Sequence, residues 1–228
     1  MIDQMIVRCE AVLDLKNATL GDGHYYSSLP LCIIDCVFSR GVRYKSTQNV
    51  IKRYCKHYNL TEFRDRTLEY PDRESQHTIS QLIKNIESYG IENIAKYVFC
   101  NKQRTSTRSG ILKAEAVYLW AKVFERYGIE VFQDVIKIDE EIEKEILSIK
   151  GQKNDISLSY FYMASGNDDS CTSSRHMLRF ISEALQRDVK DVSEVQKIMH
   201  DAATILKKSY PNMTVRLLDH TIWKYMSE

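Results

Sequence analysis

The stretch 138–166 constrains this chain most, because two helical patterns are joined there by only five residues. Ile138, Ile142, Ile146 and Ile149 recur at helical spacing through an acidic segment that ends at Lys150. A second pattern runs over 156–164 and closes at Gly166. Two helices joined this tightly form a helical hairpin. Its turn, Gly151-Gln152-Lys153-Asn154-Asp155, is polar and opens a new helix. Free amides at a helix start attract anions, phosphate above all, and Lys150 and Lys153 add to that bias. Such a turn is suited to holding a nucleic-acid backbone without reading its sequence. An ordinary loop between two core helices is the competing reading.

The remaining chain is read the same way. Eight glycines and three prolines in 228 residues leave few breaks. No alternating run bounded by turn pairs is found, so the fold class is all-α. Helices are expected over 6–20, 31–38, 47–57, 79–89, 91–100, 111–127, 175–186, 191–208 and 215–225, with a short helical turn at 131–135. Ser28 is a cap with Pro30 in the first turn, and Thr214 caps the last helix. Segment 31–38 is apolar all round and therefore buried. The stretches 39–46, 61–77, 101–110 and 167–174 read as loops. No repeat suggests a solenoid.

Net charge is only +1, so any nucleic-acid surface has to be a local patch. No apolar run approaches the ~18 residues of a membrane span. The first residues lack the basic-then-apolar order of a signal peptide. A cytoplasmic chain with no membrane partner is expected. Cys9, Cys32, Cys36, Cys55, Cys100 and Cys171 are scattered without the spacing of a zinc or iron–sulfur site. Buried reduced thiols are expected instead.

Two loops carry cations among hydrogen-bonding side chains. Loop 101–110 holds Lys102, Arg104 and Arg108 with Ser and Thr, the usual set for phosphate contacts. Loop 39–46 holds Arg40, Arg43 and Lys45, with Tyr44 able to stack on an unpaired base. Solvated surface loops are the alternative. Asp35 lies inside the apolar helix, where lost solvation raises its proton affinity. It is either a general acid or a structural aspartate satisfied by an arginine or a helix N-terminus. His176, Asp219 and His220 read as structural, and the last two, being adjacent, face apart. There is no Gly-rich phosphate loop, no His-Glu-x-x-His and no Gly-x-Ser-x-Gly.

The order of these pieces over about 29–182 resembles the helix-hairpin-helix (HhH-GPD, endonuclease-III-like) superfamily of DNA glycosylases. A buried helix runs into Ser39-Arg-Gly, Lys113-Ala114 opens a later helix, and Ile149-Lys-Gly-Gln-Lys-Asn-Asp-Ile156 follows. Ser174-Arg-His-Met-Leu-Arg179 then stands where the family has an Asp-Thr-His segment. The resemblance implies two helical lobes: 29–158 ending in the hairpin, and 1–28 plus 159–228 built from the termini. It implies a monomer that binds double-stranded DNA with one flipped base and uses no cofactor. The hairpin amides of Gly151, Gln152, Lys153, Asn154 and Asp155 would hold phosphate, and a monovalent cation would sit on hairpin carbonyls. Lys113, Arg104, Arg108 and Ser109 would contact the strands. Arg43 and Tyr44 would lie by the opened pair. Asp35 would match the acidic residue of the adenine-excising branch.

The chain also departs from that pattern. Lys153 replaces the second hairpin glycine, and Asp155 stands where lyase-active members have lysine. Ser174 stands in place of the catalytic aspartate and supplies no charge opposite an oxocarbenium ion; Asp168 or Asp169 could substitute. The four-cysteine cluster is missing, so no iron–sulfur cluster is expected. The resulting expectation is base excision. The alternatives are a non-catalytic lesion- or structure-specific DNA-binding relative, or a helical module that meets an acidic protein.

Overall fold

The apolar helix around Ile33 becomes the centre of one of two structural units in the computed structural model, which describes residues 1–65, 70–152 and 156–227. Among these residues regular structure is helical, with two isolated bridges, Tyr26–Phe63 and Arg104–Leu112, and no strand. The helices are α1 (Ile2–Val12), α2 (Leu29–Phe38), α3 (Tyr44–Tyr58), α4 (Ile79–Tyr89), α5 (Ile91–Asn93), α6 (Lys113–Arg126), α7 (Glu140–Ser148), α8 (Ile156–Ser165), α9 (Arg175–Leu185), α10 (Val192–Leu206) and α11 (Val215–Ser227). The all-α expectation therefore holds. None of these helices is long and apolar enough to cross a membrane.

One unit comprises residues 22–165. All of α2 is buried, as its sequence requires, and it packs against α3, α4, α6 and α8. Trp120 and Phe124 of α6 meet Phe161 of α8, with ring centroids 5.5 Å apart in each pair. Helix α4 starts in a full capping box, Thr78 with Gln81, and stops at Gly90, φ 74°. Asp139 caps α7 by accepting the Glu141 and Ile142 amides.

The other unit joins residues 1–21 to 166–228. Here α1 packs on α9 and α10, and α11 on the same pair. Arg8 lies over the Phe180 ring and pairs with Glu183. Asp191 caps α10 and Thr214 caps α11, through the Glu194 and Leu217 amides.

Several boundaries differ from the sequence reading. Helix α1 starts at Ile2 and ends at Val12. Met5 and Cys9, four apart, set its buried face, so Val7 points to solvent. Leu13 and Leu15 are both buried, but beyond the helix end, where the chain turns and Leu15 N donates to Leu13 O at 3.0 Å. Helix α3 begins at Tyr44, with Arg43 in the N-cap position, so Tyr44 and Lys45 belong to a first turn and not to a loop. The segment after Gly90 is not one α-helix: three helical residues run into a π-turn, Ile94–Val98, closed by Phe99 N on Ile94 O at 2.9 Å. Helix α6 begins at Lys113, because Ile111 and Leu112 pair back onto the preceding loop.

Candidate nucleic-acid interface

Lys113 organises the region where basic residues gather. The last carbonyls of a helix lack intrahelical partners and carry the negative end of its dipole. At the end of α2, the Lys113 ammonium donates to Phe38 O at 3.0 Å and to Arg40 O at 2.8 Å. It also reaches Gln103 Oε1 at 3.4 Å. The side chain is buried, and burial, then the nearby Arg40 charge, lowers its pKa to about 8. The expected strand contact from Lys113 is thus corrected: the charge faces inward and joins loop 39–43 to loop 101–112. Helical register explains this, since Lys113 shares a face with buried Val117, Trp120 and Phe124.

Loop 101–112 folds back on itself. Thr105 N donates to Ile111 O and Lys113 N to Gln103 O, each at 2.9 Å. Arg104 donates to Gly110 O at 2.9 Å. The loop then seats on the hairpin: a Cβ on Gly151 would lie 2.2 Å from Thr105 Cβ, and Gly151 has φ +93°. We predict that Gly151→Ala costs at least ~2 kcal/mol in a urea titration, because steric overlap and left-handed strain add. A cost below ~0.5 kcal/mol would show that this contact does not hold the loop. Loop 39–43 reaches the same hairpin, where the Arg40 guanidinium donates to Ser157 Oγ at the start of α8.

Three basic segments, remote in sequence, are therefore tied together within residues 22–165. Arg43, Arg104, Arg108, Ser109 and Lys150 are exposed there. No salt bridge among the described residues engages Arg43, Arg104, Arg108 or Lys150, while Lys102 lies 3.8 Å from Glu92. Gln152 departs from expectation. Its side chain is fully buried and its amide donates to Ile149 O at 2.9 Å, so that amide is not free for phosphate. Lys153, Asn154 and Asp155 lie outside the described residues.

Asp35 is 1% exposed, and its partners are neither an arginine nor a helix N-terminus. Tyr26 and Tyr160 both donate to Oδ2, each at 2.9 Å. Oδ1 has no hydrogen-bond partner. Burial raises its pKa to about 6, against the opposing pull of the two hydroxyls. Tyr44 is half-buried and its hydroxyl hydrogen-bonds to that of Tyr26, which ties it to the group around Asp35. Sequence spacing gave no sign of Tyr26 or Tyr160, which are nine and 125 positions from Asp35.

In the unit of residues 1–21 and 166–228, Ser174 caps α9 by accepting Met177 N at 3.3 Å. Asp168 lies 3.6 Å from the buried Arg216, whose amide donates to Asp168 O at 3.0 Å. Asp169 N donates to Asn167 Oδ1 at 2.8 Å. Buried Asp219 accepts the Thr172 amide at 2.8 Å and its hydroxyl at 3.0 Å, and burial raises its pKa to about 6. Asp219 and Arg216 thus anchor loop 167–174, in keeping with a structural Asp219.

A family described as "Domain of unknown function (DUF8548)" matches residues 3–227. The chain belongs to the DUF8548 family. No curated protein and no solved structure matches it. In this DUF8548 chain the Ile149 carbonyl accepts Gln152 N, and Lys153, Asn154 and Asp155 of the expected cation-holding turn lie outside the described residues. Among the described residues no group of three His, Cys, Asp or Glu is placed to hold a metal. Cys9, Cys32, Cys36, Cys55 and Cys171 are buried free thiols, while Cys100 is exposed, at φ 46° where the π-turn leaves for the basic loop.

Proposed function

We propose that this chain is a DNA-binding protein of the base-excision type, which holds the duplex backbone with loops 39–43 and 101–112 and the hairpin around Gly151. The observation that carries the reading is their junction through Lys113, Arg40 and Gly151. That junction collects exposed Arg43, Arg104, Arg108 and Lys150 on one framework, with no acidic partner among the described residues. Cations set among Ser and Thr on rigidly tied loops suit phosphate contacts that position a duplex without reading it.

Asp35 is the group for excision. Two hydroxyls donate to Oδ2, so the acidic proton belongs on Oδ1. With a pKa of about 6, a fraction of the carboxyls is protonated near neutrality. The step breaks the glycosidic C–N bond, passes the Oδ1 proton to the leaving base and adds water to the sugar carbon. The water's proton restores the acid.

A second reading, a non-catalytic DNA-binding relative, is favoured by Ser174 as a neutral helix cap and by the depth at which Asp35 lies. Incubation with duplexes bearing a panel of modified bases separates the two. Free base and alkali-sensitive sites that vanish in Asp35→Asn are the expected result. Binding without release on every substrate assigns the second reading. In either case Arg104→Ala/Arg108→Ala should weaken duplex binding and make its log–log salt slope shallower by about 2.

A further inference from the structure

Helix α3 presents a second cationic surface beyond these loops. Lys45, Asn49, Lys52 and Lys56 are all exposed and follow a four–three–four spacing, which lines them along one helix face. Thr47, Val50, Ile51, Tyr54 and Cys55 form the opposite, buried face. No aspartate or glutamate occurs between Cys36 and Thr61, or between Asn93 and Ala114. No salt bridge among the described residues engages Lys45, Lys52 or Lys56.

This face adjoins the loop junction at its N-terminal end, and the helix is tied a second time through Arg53. Its N-terminus follows directly on loop 39–43, which Lys113 holds. Farther along, Arg53 Nε donates to Phe99 O at 2.9 Å, which fixes α3 beside the start of loop 101–112. The exposed face carries no apolar side chain. A protein partner would want aromatic or aliphatic anchors at its centre, whereas a polyphosphate needs only spaced cations. Lys45 and Lys56 are eleven positions apart, about 16 Å at 1.5 Å per residue. That length covers about five nucleotides of one strand at 3.4 Å each.

We infer that α3 tracks the phosphate backbone of a DNA strand, extending the interface from Arg43 through Lys45 and Lys52 to Lys56 without reading sequence. This rests on the nucleic-acid reading above. The test is fluorescence anisotropy of the full chain on two unrelated 30-base-pair duplexes between about 50 and 200 mM salt. Each neutralised phosphate contributes about 0.9 to the log–log salt slope. The variant Lys45→Ala/Lys52→Ala/Lys56→Ala should flatten the slope by about 2–3 and weaken both duplexes equally. The corresponding triple arginine variant should keep the slope. All three side chains are exposed, so an unchanged urea midpoint in both variants confirms that folding is not the cause. Wild-type binding with a slope that the alanine variant leaves unchanged overturns the inference and leaves the loop reading standing. A wild type that binds no duplex overturns both. Wild-type binding to poly-glutamate as tight as to DNA, lost in the alanine variant, assigns the face to acidic proteins and overturns the inference.

Discussion

Replacing Lys113 with methionine should lower folding stability by about 3–5 kcal/mol in a urea titration, with the midpoint falling and the slope little changed. The methionine fills a similar volume but donates nothing. Phe38 O, Arg40 O and Gln103 Oε1 would then be left around an apolar side chain. An orphaned buried acceptor costs about 1–3 kcal/mol, and the negative end of α2 would also lose its counter-charge. Duplex binding should fall with stability, because the same ammonium joins two of the loops that carry cations. A loss under ~1 kcal/mol would show that Lys113 is not the staple described.

The second large effect is in the pH dependence of stability, read through Asp35→Asn. The pKa of Asp35 rises from 3.8 to about 6 on folding. The folded state therefore holds the proton more tightly. The contribution is fully present below pH ~4 and is lost as pH rises through about 6. Integrated over that interval, the carboxylate costs up to ~3 kcal/mol at pH 8 relative to pH 4. An asparagine can accept the Tyr26 and Tyr160 hydroxyls through its carbonyl oxygen and carries no charge to desolvate. Asp35→Asn should then match the wild type near pH 4 and exceed it by ~2–3 kcal/mol at pH 8. Asp219 shifts the same way in the other unit, so the wild-type curve also contains its share. The difference between variant and wild type isolates Asp35, and a difference independent of pH would contradict the assignment.

The sequence was legible where one apolar face decided the outcome. Helix α4 is bounded by its capping box and by Gly90, and α2 is buried because no residue on it except Asp35 resists burial. Helix α1 misled because Leu13 and Leu15 prolong an apolar run past the helix end, into a segment where the chain turns and both side chains are still buried. Lys113 misled for a different reason. A lysine reads as surface, yet its register with Val117 and Trp120 sets it inward, where helix-end carbonyls satisfy it. The partners of Asp35 had no local signature, since hydroxyls from distant segments meet only once the helices pack. Of the junction between Thr105 and Gly151, the sequence offered only the glycine, and turn chemistry explains a glycine as readily as close packing does.

The central claim is that the three tied segments form one phosphate-holding surface. Its most direct test is the salt dependence of wild-type binding to a duplex of arbitrary sequence. Arg43, Arg104, Arg108 and Lys150 supply at least four cations. The log–log slope should therefore be about −4 or steeper, with measurable binding at ~50 mM salt. Absence of binding at that salt, or a slope near zero, would contradict the account.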